Sequence, residues 1–61
     1  MSELELLREA LDHVDSAAYL LRKYVKLNPT QAGEVEDIII VLEDVGERIE
    51  SLLSREERVK K

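Results

Sequence analysis

The 61-residue chain contains no cysteine, tryptophan or phenylalanine, and only one proline, two glycines and two tyrosines. Without cysteine there is no disulfide to staple so short a chain, and no thiolate to hold a metal ion. No apolar run approaches the ~20 residues that a membrane-spanning helix needs, and Met1-Ser2-Glu3-Leu4-Glu5 lacks the basic start of a secretory signal. The expected compartment is therefore the cytoplasm, with no membrane partner. An excess of positive charge is also missing. The formal net charge of −5 argues against capture of nucleic acid or anionic lipid by the molecule as a whole. A single domain of this size buries only about 60% of its unfolded surface, so its stability is marginal and support from another protein chain is expected.

Helix-forming residues dominate what remains. Ser2 and Glu5 have capping-box spacing, which predicts a helix starting at about residue 3. From there to Leu27 no glycine or proline intervenes. Acids (Glu3, Glu5, Glu9) lie near the start and bases (Arg22, Lys23, Lys26) near the end, each where the helix dipole favours it. Leu4, Leu7, Leu11, Val14, Ala18, Leu21 and Val25 alternate at steps of three and four, the seam of a packed helix.

Asn28-Pro29-Thr30 interrupts this pattern, because proline disfavours helical backbone before it and has no amide to donate. Either Asn28 caps with Pro29 in the first turn, or Thr30 caps a helix beginning at Gln31. A second helix is predicted over about 31–57, with the basic tail fraying beyond it. Its expected seam is Val35, Ile38, Leu42, Val45, Ile49 and Leu52, extended by Val59. Ile38-Ile39-Ile40-Val41 favours strand locally, but its flanks carry helical periodicity and no turn signals. Gly46 costs about 1 kcal/mol relative to alanine inside a helix, and its place opposite small residues of the first helix points to close backbone approach, the alternative being a tolerated glycine.

The expected fold is thus a single all-α domain over 1–61, a two-helix antiparallel hairpin. The first helix carries more apolar surface than one partner helix covers. Ala10, Ala17 and Tyr24 flank its seam, and Leu6, Leu20 and Leu27 lie further round. Such a strip exceeds what monomers usually expose, so dimerisation into a four-helix bundle is expected. The residues expected at the self-association or partner interface are Leu6, Tyr19, Leu20, Tyr24, Leu27, Ile40 and Val41.

No constellation for catalysis, cofactor or metal stands out. His13, the only histidine, has Glu9, Asp12 and Asp15 nearby, but the three-residue Glu-to-His spacing of di-iron carboxylate bundles is absent. It reads as a partly exposed histidine among acids. The serines and Thr30 lie in no strained nucleophile elbow, and a hairpin has no concave pocket to tune acid and base groups. The chain is accordingly expected to be non-enzymatic. High charge content with so few Met, Asn and aromatic residues matches a bias of heat-adapted proteins.

Two basic clusters support an alternative reading: Arg22, Lys23 and Lys26 beside the turn, and Arg55, Arg58, Lys60 and Lys61 at the tail. Two helices joined by a short turn, with such clusters, resemble in architecture the small RNA-binding hairpin-dimer bundles of the Rop type. That architectural resemblance implies a small nucleic-acid-binding regulator, and the cluster Arg22, Lys23 and Lys26 supplies the candidate contacts. The leading expectation is a homodimeric protein-interaction module acting as an adaptor or accessory subunit. The acids around both clusters make dipole and surface-pair roles the more economical account of the bases.

Overall fold

A computed structural model describes residues 2–59. Helix α1 spans Glu3–Leu27, a single 3-10 turn spans Pro29–Gln31, and helix α2 spans Ala32–Val59. Among the described residues there is no strand, so the β-branched run Ile38–Val41 is helical. Tertiary packing of α2 against α1 outweighs its local preference. Lys60 and Lys61, part of the expected basic tail, lie outside the described residues.

The start of α1 is a complete capping box. The Glu5 backbone N–H donates to Ser2 Oγ at 3.2 Å, and the Ser2 N–H donates to Glu5 Oε1 at 3.1 Å. The bond from the Ser2 backbone N–H, and after it the neighbouring Ser2 hydroxyl, holds the Glu5 carboxyl below its ordinary pKa. At the other end, the Asn28 backbone N–H donates to the carbonyls of Tyr24 (2.9 Å) and Val25 (3.2 Å). Its side-chain amide donates to Tyr24 O at 3.3 Å. Pro29 then takes the first position of the 3-10 turn, where a missing N–H costs nothing. The first of the two capping alternatives is therefore the nearer one, although Asn28 makes no side-chain cap bond to that turn.

The seam of α1 is as expected: Leu4, Leu7, Leu11, Val14, Leu21 and Val25 are half-buried, and Ala18 is buried. The seam of α2 is not. Buried or half-buried positions there are Ala32, Val35, Ile39, Leu42, Gly46, Ile49, Leu53 and Glu56. Ile38, Val45 and Leu52, assigned to the seam from the sequence, are exposed. The column Val35, Leu42, Ile49 belongs to both versions. Relative to expectation, α2 is rotated so that Ile39, Gly46 and Leu53 replace Ile38, Val45 and Leu52 beside it.

Gly46 is buried against Leu11 and Val14, but a Cβ there would meet them at 3.7 and 3.8 Å, ordinary van der Waals separation. Of the two readings of Gly46, close backbone approach or a tolerated glycine, the second fits: the gap left by the seam side chains already accommodates a methyl group.

The hairpin is long and one layer thick, with principal extents of 49 × 19 × 10 Å. Its radius of gyration is 14.3 Å, against about 10.5 Å for a compact domain of the same length.

Candidate functional site

With Leu4 and Ala32 taken as position a of a heptad, the seam occupies a and d in both helices. Across an antiparallel pair, e then faces e and g faces g. Two interhelical ion pairs mark the e side: Arg8 with Glu57, and Arg22 with Glu43. All four residues are at e. Positions e and b of both helices therefore form one broad face of the slab, and positions c and g form the other.

These two faces differ sharply in chemistry. Among the described residues, the e/b face carries eight acids (Glu5, Asp12, Asp15, Glu36, Glu43, Glu47, Glu50 and Glu57) and three bases (Arg8, Arg22 and Lys26). The c/g face is mostly apolar. On α1 it carries Leu6, Ala10, His13, Ala17, Leu20, Tyr24 and Leu27, and on α2 Ile38, Val41, Val45, Arg48 and Leu52, with the charged Glu3, Glu34 and Arg55 toward its ends. Each series steps by three and four, so each helix has a second seam beside the one it uses. Of the ten large apolar side chains that are exposed among the described residues, eight lie at c or g. Leu6 and Leu7 of α1 line one hollow with Leu52 of α2, which joins the two stripes into a single surface at the open end of the hairpin.

Polar groups interrupt this face at mid-height. The His13 imidazole lies with Nδ1 2.8 Å from the Glu9 carbonyl oxygen, which accepts its N–H when that nitrogen is protonated. Arg48 turns back along its own helix to Asp44, Nε to Oδ2 at 3.2 Å. Among the described residues no group of three or more His, Asp or Glu is arranged to hold a metal ion, and no helix is long and apolar enough to cross a membrane.

The seven residues expected at an interface are all exposed, but the structure divides them. Leu6, Leu20, Tyr24, Leu27 and Val41 share the c/g face. Tyr19 and Ile40, both at b, lie on the opposite one. The three candidate nucleic-acid contacts are also dispersed: Arg22 is at e and engaged with Glu43, Lys26 is at b, and Lys23 is at f with its ammonium 5.1 Å from the Tyr19 ring centroid. Arg55 and Arg58 stand at the far end of the hairpin.

Ile38, Val45 and Leu52 belong to the exposed face although the sequence reading placed them inside. A signal for this exists in the chain. Glu36, Glu43, Glu50 and Glu57 recur every seventh residue, and with Ile39, Gly46 and Leu53 in the seam two of them, Glu57 and Glu43, reach Arg8 and Arg22.

Comparison with known proteins finds no family model, no curated protein and no solved structure that the chain matches.

Proposed function

We propose that this chain is a non-enzymatic protein-interaction module. It self-associates through the c/g face into a homodimeric four-helix bundle, and serves in the cytoplasm as a small adaptor or accessory subunit of a larger complex. The observation that carries this reading is the second apolar seam, present on both helices and on the same side of the hairpin.

Area supports it. The accessible surface is 4888 Å², whereas a compact monomer of 7.0 kDa exposes about 4,000 Å². The excess of roughly 850 Å² is close to the ~800 Å² that each partner contributes to a standard interface. Charge at the rim supports a second copy as the occupant. Position f borders the face. On α1 it runs from Glu9 at the open end to Lys23 near the turn, and on α2 from Asp37 and Asp44 near the turn to Arg58 at the open end. A two-fold axis along the hairpin sets Lys23 near the second copy's Asp37, and one across it sets Lys23 near the second copy's Glu9. Both arrangements juxtapose opposite signs.

Sedimentation equilibrium tests the proposal. A dimer mass at micromolar concentration is expected, and a stable, compact monomer there would overturn it. The nucleic-acid reading is weaker: Arg22 already serves Glu43, and a phosphate backbone laid along the e/b face would meet eight acids and three bases.

A further inference from the structure

The e/b face has two exceptions to its polarity. Tyr19 and Ile40 stand there, one on each helix in the turn-end half, 59% and 62% exposed; by the register of the Arg22–Glu43 pair, Ile40 is level with Val25, about 9 Å nearer the turn than Tyr19. Neither helps to close the hairpin, and neither would be covered by docking on the c/g face, because b lies on the opposite side of each helix.

Two adjoining hollows surround them. Between the helices, Val25 and Ile39 floor a groove with Arg22 and Lys26 on one wall and Ile40, Glu36 and Glu43 on the other. Beyond the Arg22–Lys26 ridge, on the outer edge of α1, Tyr19 and Lys23 line a second, more apolar hollow that ends at Leu27 of the c/g face. Arg22 neutralises Glu43, while Lys23 and Lys26 form no ion pair with any described residue. The α1 side of this turn-end site therefore carries unpaired positive charge beside exposed aromatic and aliphatic surface, on a chain whose net charge is −5.

We infer that the turn-end site docks an acidic amphipathic segment of another protein. The segment lies along the Arg22–Lys26 ridge, places an apolar side chain in each hollow, and sets its carboxylates against Lys23 and Lys26. Tyrosine and isoleucine supply rigid buried area, and the lysines supply charge-assisted hydrogen bonds whose donors are free to turn toward a partner. A nucleic acid fits less well, since its continuous phosphate line would run on past Glu36, Glu43 and Glu50. The site needs only the hairpin. Self-association on the other face would display it twice per dimer, which suits an accessory subunit that gathers two copies of one partner.

The test uses the full chain and a fluorescein-labelled amphipathic peptide of leucine and glutamate, with fluorescence anisotropy as the readout. Saturable binding is expected, weakening with added salt and absent for the same peptide with serine in place of leucine. Lys23→Glu with Lys26→Glu should weaken binding by about tenfold or more, the scale for removing two charge-assisted contacts. Ile40→Ser, on the other helix, provides an independent reading if the lysine variants lose helicity by circular dichroism. Val41→Glu on the opposite face should leave peptide affinity unchanged, so failure of the dimer and failure of this site are separable. The inference is overturned by absence of saturable binding, by binding lost in Val41→Glu but not in the lysine or Ile40 variants, or by a single-stranded oligonucleotide binding there more tightly than the peptide.

Discussion

Asp15 stands across the hairpin from Glu50 at the one rung of the e/e ladder that holds two acids. The rungs on either side pair Arg8 with Glu57 and Arg22 with Glu43, and Asp15 and Glu50 line the groove between the helices at the middle rung. Asp15→Arg should therefore stabilise the fold. Exposed pairs contribute about 0.2–1 kcal/mol, and relief of like-charge repulsion adds to the same sign. Urea unfolding should show the gain at low salt and a smaller gain at high salt. A loss of stability would mean that Asp15 does not face Glu50.

Gly46→Ala should also stabilise. The added Cβ meets Leu11 and Val14 at 3.7 and 3.8 Å and Asp15 Oδ1 at 3.9 Å, so no neighbour has to move. The gain in helix propensity is about 1 kcal/mol. Gly46→Leu should do the opposite, because the extra carbons have to enter the seam and push the helices apart. Thermal unfolding of the two variants beside the parent checks both signs.

Val41 and Ile40 are neighbours with nearly equal exposure, 61% and 62%. Exposure alone predicts the same outcome for a charge at either position. The two-faced arrangement predicts different ones: Val41→Glu should raise the dimer dissociation constant by about tenfold or more, and Ile40→Glu should leave it unchanged. Sedimentation equilibrium separates these outcomes, with circular dichroism confirming that both variants remain helical.

Glu5 couples the start of α1 to pH. Its carboxyl is held below its ordinary pKa by Ser2. A group depressed in the folded state contributes stability above its unfolded value and loses that contribution as pH falls through the folded one. Protection of the first-turn amides, measured as exchange rates divided by the intrinsic rates at each pH, should therefore fall as pH drops below about 4, near the ordinary carboxylate range. Ser2→Ala should return the Glu5 titration, followed by NMR, toward that ordinary range.

The two helices and the turn follow from local signals along the chain. Capping at Ser2, the uninterrupted run to Leu27 and the break at Asn28-Pro29 are local signals, and each predicted boundary lies within a few residues of the observed one. The α1 seam was equally legible, because its stripe at a and d is apolar at every position and small only at Ala18, whereas the c/g stripe is interrupted by His13 and two alanines. Which stripe of α2 turns inward was decided by the tertiary structure. Two stripes share Val35, Leu42 and Ile49, and the one flanked by Ile38, Val45 and Leu52 has the bulkier residues. Burying it would have set Ile39, Gly46 and Leu53, in place of the glutamate column, beside Arg8 and Arg22. The observed choice fits smaller residues between the helices at mid-height, pairs the arginines, and sends the larger apolar stripe outward beside Leu20 and Tyr24. Periodicity within one helix cannot decide between two stripes that share a column. The surface of the facing helix, in shape and charge, makes the choice, and with it the division of Tyr19 and Ile40 from Leu6, Leu20, Tyr24, Leu27 and Val41.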